Sequence, residues 1–159
     1  MLKITQIITP ILIFIFGFLF LKSIENIKQQ IERQSHFYKK WADEFFNTCD
    51  EFMKCTERML ALLTFISNNP NINETWMHYQ KELNDLFPAL SELELRIKRF
   101  VPFAPKFGNC VKTNASEILN KLSELFKQKK GNVDPIVNLI VEFNKAAKLA
   151  HGEMLANKK

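Results

Sequence analysis

One hydrophobic repeat constrains this chain more than any other feature. Alternate steps of three and four residues from Ile24 give Ile27, Ile31, Gln34, Tyr38, Trp41, Phe45, Thr48, Phe52, Cys55, Met59, Leu62 and Ile66. Eleven of these thirteen positions are apolar or aromatic, and no proline or glycine interrupts residues 18–69. A repeat of 3.5 residues keeps one helical face turned toward helical neighbours. A long helix packed on other helices is therefore expected. Composition agrees: 15 Phe against 4 Gly and 6 Pro in 159 residues disfavours architectures built from strands and turns.

The repeat has two regimes. Over residues 22–36 it carries only a narrow seam, Ile24, Ile27 and Ile31, among charged and amide side chains. From Phe37 a second apolar stripe joins it, through Phe46, Cys49, Met53, Leu60 and Leu63. A narrow seam suits a stalk or a single partner helix, whereas a wide face suits a bundle core. The expected organisation is an anchor over residues 1–21, a helical stalk over 22–36 and a bundle over 37–159.

The anchor rests on residues 4–21, ITQIITPILIFIFGFLFL, which contain no charge and are bracketed by Lys3 and Lys22. At about 1.5 Å per residue, such a helix spans roughly the hydrocarbon thickness of a bilayer. The polar Thr5, Gln6 and Thr9 sit toward one end, and Pro10 is tolerable near a helix start. A cleaved signal peptide would end in small residues, but Lys22 and Ser23 follow a run of Phe and Leu. An uncleaved single span is expected. Lys22, Lys28, Arg33, Lys39 and Lys40 follow the span. By the positive-inside rule they place residues 22–159 on the cytoplasmic side of a cell (inner) membrane.

Three further helices are expected. Asn68-Asn69-Pro70 stops the first, and Asn71 with Glu74 reads as a capping box for the second. The second seam is Trp76, Tyr79, Leu83, Leu86, Leu90, Leu93, Ile97 and Phe100, with Pro88 off the seam and a kink expected near Phe87. Residues 101–113 read as irregular, with two prolines and a glycine. Asn114 and Glu117 read as a capping box opening a short helix that buries Ile118, Leu119, Leu122, Leu125 and Phe126. That helix would close at Lys127–Lys130 and Gly131. Asp134-Pro135 would open the last helix as N-cap and first-turn proline, with Ile136, Val137, Ile140, Phe143, Ala147, His151 and Met154 inward. The fold class is all-α: a single N-terminal transmembrane helix continuing into an antiparallel four-helix bundle.

Chemistry-bearing constellations are sparse. No His lies three residues after a Glu, as a di-iron bundle requires, and Glu32/His36 and Glu74/His78 read as exposed pairs on a helix surface. Cys49, Cys55 and Cys110 form no disulfide pattern, and no His stands near Cys110 in sequence. There is no phosphate-binding glycine loop, no G-x-S-x-G and no H-E-x-x-H. No metal, no cofactor and no enzymatic activity are expected. The net charge of +5 is interleaved with acids rather than concentrated, so nucleic-acid binding is not expected either. Asn73-Glu74-Thr75 and Asn114-Ala115-Ser116 match the glycosylation acceptor pattern but read as helix starts.

What remains points to protein association. Ile24, Ile27 and Ile31 have no evident cover within the chain and are the first candidates for a contact with another subunit. The same repeat is compatible with a second copy of the chain. A further cluster, Arg96, Lys98, Arg99, Phe100 and Phe103, mixes cations with aromatics and suits anionic headgroups or an acidic partner. The expected function is a non-enzymatic, membrane-anchored accessory or scaffold subunit of a larger membrane-associated assembly. The alternatives are a membrane-anchored sensor or defence effector and a small membrane-perturbing protein of phage or toxin type.

Overall fold

The computed structural model describes residues 2–69, 71–128 and 131–156, with side chains from residue 18 onward except that of residue 72. Among the described residues there are four α-helices, α1 (Leu2–Asn68), α2 (Ile72–Phe100), α3 (Gly108–Gln128) and α4 (Asp134–Ala156), and no strand. A 3-10 turn, Val101–Phe103, joins α2 to α3. The chain divides into two units, Met1–Tyr38 and Lys39–Lys159.

In the second unit the helices pack as an antiparallel bundle. Ring contacts between α1 and α2 run from Trp41–Phe100, with centroids 5.4 Å apart, to Phe65–Tyr79 at 5.9 Å. Between them, Arg58 Nε bonds Glu82 Oε1 at 2.7 Å. Position falls along α2 as it rises along α1, which is what antiparallel neighbours require. The same reversal relates α1 to α4, through Phe46–His151 at 4.9 Å and Phe52–Phe143 at 5.2 Å. It relates α2 to α3 through Trp76–Phe126 at 4.9 Å and the hydrogen bond from Ser116 Oγ to Glu94. With α3 packed on α4, each helix touches two neighbours and the ring closes.

The residues that build this core follow from helical spacing. In α1 the buried set is Ala42, Phe45, Thr48, Cys49, Phe52, Thr56, Met59, Leu62, Leu63 and Ile66. Two adjacent stripes are thereby buried, one for each neighbouring helix. Full burial of a residue such as Phe52 stabilises the fold by about 1.5–3 kcal/mol. The Thr48 hydroxyl is satisfied inside the core by donating to the Glu44 carbonyl at 2.8 Å. In α2 the expected seam is buried at Trp76, Leu83, Leu90, Leu93, Ile97 and Phe100 and half-buried at Tyr79 and Leu86. The helix runs through Pro88 as one element.

Several local expectations are corrected. Asn71 makes no side-chain cap for α2. Instead Asn69 Oδ1 accepts the Asn71 N–H at 3.0 Å, a side-chain turn placed two residues earlier. At α4, Asp134 is already helical, and Asn132 Oδ1 accepts its N–H at 2.9 Å. α3 begins at Gly108 rather than Asn114, because the buried stripe extends back through Ala115 and Val111 to Gly108. Asn114 is an interior residue of that helix, so it caps nothing. On α4, Val137 is exposed while Ala146 and Ala150 are buried, which turns the inward face from the expected one.

No helix among the described residues is long and apolar enough to cross a membrane. The transmembrane span expected over residues 4–21 is accordingly not supported by the structure. Its residues 4–17, with Thr5, Gln6, Thr9 and Pro10, fall outside those whose side chains are described. Pro70, Lys129 and Lys130 also lie outside the described residues.

Candidate functional site

The three stalk isoleucines stand on one helical face with their side chains in solvent. Ile24 is 47% exposed, Ile27 54% and Ile31 59%. They occupy the same 3.5-residue repeat whose later members, Phe45, Phe52 and Met59, are fully buried in the second unit. With Ile24 at the first core position of a heptad (a), Ile27 falls at the second (d) and Ile31 returns to the first. The positions flanking that seam are Ser23, Lys28, Gln30 and Ser35. In the bundle the position after each second core residue is Ala42, Cys49, Thr56 or Leu63, all buried. In the stalk that position is Lys28 or Ser35, so the stalk offers one seam rather than two. Phe37 is 49% exposed and meets Tyr38 edge to face, at 6.1 Å.

The cation-aromatic cluster is largely taken up by the bundle itself. Phe100 is buried between Trp41 and Phe45, and Phe103 packs on Trp41 at 5.0 Å. Arg96 lies 3.5 Å from Glu51 on α1, and Lys98 lies 2.7 Å from Glu94 on its own helix. Arg99 is exposed. Trp41 serves the core corner with Phe100 and Phe103.

Sequence spacing missed the role of Glu153. Its carboxylate accepts the backbone N–H of Lys106 at 3.0 and 3.2 Å and that of Phe107 at 3.1 Å. An acid on α4 thus clamps the segment entering α3, where proline-rich sequence would otherwise leave donors unpaired. Gly108 completes the approach, because a Cβ there would sit 2.9 Å from the Val101 carbonyl oxygen. These partners are 46 and 47 positions apart, and no local pattern signals them.

Burial pushes the Cys49 thiol far up from its ordinary value, so it stays protonated and poorly nucleophilic. Burial, with Glu51 adding to it, raises Cys55 as well. Cys110 is exposed, and its sulfur accepts from Asn114 Nδ2 at 3.7 Å. His151 stacks on Phe46, and its Nε2, 3.5 Å from Asp43, is buried without a hydrogen bond. Among the described residues no three His, Cys, Asp or Glu converge as metal ligands. A cavity of about 240 Å³ lies between α1 and α4, floored by Phe46, Cys49, Met53, Phe143 and Ala147. Asp50, Lys54, Glu57 and Asn144 complete its lining. Lys54 is held to Asp50 at 2.6 Å, and that hydrogen bond and charge raise its ammonium.

Comparison with protein-family models, curated proteins and solved structures finds no match. The surface geometry therefore carries the functional argument alone.

Proposed function

We propose that this chain is a non-enzymatic accessory or scaffold subunit. It is fixed in a cell membrane by residues 4–21, and its stalk and bundle bind a larger membrane-associated protein assembly. The observation that carries the reading is the exposed seam of Ile24, Ile27 and Ile31, which continues a core repeat without a core partner among the described residues. Exposed apolar positions repeating along one helical face are what a partner helix buries. The anchor is supported by the 18 uncharged residues of the sequence. At their end Phe18, Leu19, Phe20 and Leu21 are 55–67% exposed, an apolar collar without cover among the described residues. The cations that follow favour a cytoplasmic bundle.

Purification from the native host in mild detergent tests the proposal, with co-purifying chains identified by mass spectrometry. The expected result is one or more foreign subunits at fixed stoichiometry, released when Ile24, Ile27 and Ile31 are all replaced by serine. Recovery of this chain without any foreign partner would overturn the reading.

A further inference from the structure

We propose that the cavity between α1 and α4 binds a small organic cation, an ammonium group carried on an apolar body of one aromatic ring. The proposal concerns the bundle alone and is independent of the accessory-subunit reading above.

The cavity follows from the way the two helices are spaced. Two ring pairs join them, Phe46 with His151 at 4.9 Å and Phe52 with Phe143 at 5.2 Å. Between these pairs the side chains are small. Ala147 lies about one turn from both Phe143 and His151, and Cys49 lies midway between Phe46 and Phe52. The rings hold the helices apart, and neither Ala147 nor Cys49, both buried, is large enough to fill the gap. Protein interiors usually close such gaps, because unfilled core space costs stability. Here about 240 Å³ stays open. An apolar cavity of about 150 Å³ holds benzene, so this one has room for a ring with a short alkyl chain. Phe46, Met53 and Phe143 supply the apolar walls that such a body needs.

The polar part of the lining sets the charge of the ligand. Asp50, Lys54, Glu57 and Asn144 are all exposed, so they stand at the solvent end of the cavity. Two acids there face one cation, and Lys54 is already held by Asp50 at 2.6 Å. Glu57, which makes no ion pair among the described residues, is left as the uncompensated charge. An anion entering the cavity would have to draw Lys54 away from Asp50 and would still meet Glu57. A cation meets Glu57 favourably, and the side-chain oxygen of Asn144 is a further acceptor for an ammonium N–H.

The test measures binding to the full chain by equilibrium dialysis, with the same mild detergent in both compartments. The probes are 2-phenylethylammonium, 2-phenylethanol and 3-phenylpropionate, which join one ring to a cationic, a neutral or an anionic end. Saturable binding at one site per chain is expected. The cation should bind about threefold tighter than the alcohol, the margin of a partly screened charge pair, and the anion weakest. Glu57→Gln should abolish the cation's advantage and leave binding of the alcohol unchanged, which a general loss of folding would not do. Ala147→Leu should weaken the cation and the alcohol alike, by about tenfold or more, because its side chain takes the space of the ring. Absence of saturable binding, no preference for the cation, or a preference that survives Glu57→Gln would overturn the proposal. Undiminished affinity in Ala147→Leu would overturn it as well.

Discussion

The two halves of α1 follow one repeat and meet opposite fates. Residues 42–66 place Phe45, Phe52 and Met59 at zero exposure, while Ile24, Ile27 and Ile31 remain about half exposed. The difference lies beside the seam rather than in it. Ala42, Cys49, Thr56 and Leu63 widen the bundle segment so that α2 and α4 can both pack on it. Lys28 and Ser35, at the equivalent stalk positions, keep that segment narrow. A hydrophobic repeat therefore specifies that a helix needs a neighbour. The neighbouring stripe decides whether the chain can supply that neighbour itself.

This contrast can be broken by substitution, and the largest effect belongs to the bundle. Phe52→Ala removes a fully buried ring stacked on Phe143 and should cost about 3–5 kcal/mol, read from urea unfolding by tryptophan fluorescence. Glu153→Ala should cost less, about 1–2 kcal/mol, because it strips a carboxylate from two backbone donors at a partly exposed site. Hydrogen exchange should show that loss as faster exchange over residues 104–110. Ile27→Ala should leave bundle stability within about 0.5 kcal/mol of the parent, as an exposed position does. A stalk substitution that melts the bundle as Phe52→Ala does would erase the distinction between the two segments.

Much of the bundle was legible because long apolar side chains mark helix faces clearly. The α2 seam from Trp76 to Phe100 needed only its spacing, and so did Ile118, Leu122 and Leu125 on α3. The entry into α3 was not legible. Pro102, Pro105 and Gly108 read as loop, and the Val111 and Ala115 that extend the buried stripe are too weak a signal to outweigh them. Ala146 and Ala150 were missed for a related reason: alanine is buried on α4 by close helix approach, which hydrophobic patterning hardly registers. The Glu153 clamp and the Glu94–Ser116 bond join distant positions, and only the fold brings such groups together. The exposure of the isoleucine seam could be read from its polar flanks. The packing of Phe103 on Trp41 could not, because it joins distant positions in three dimensions.

The central claim is that the bundle is complete within one chain whereas the stalk is not. Hydrogen exchange of the purified full chain in mild detergent tests it most directly. The account predicts strong protection of residues 42–66 and weak protection of residues 22–36 in the chain alone. Stalk protection equal to that of the bundle, or a bundle left unprotected, would contradict the account.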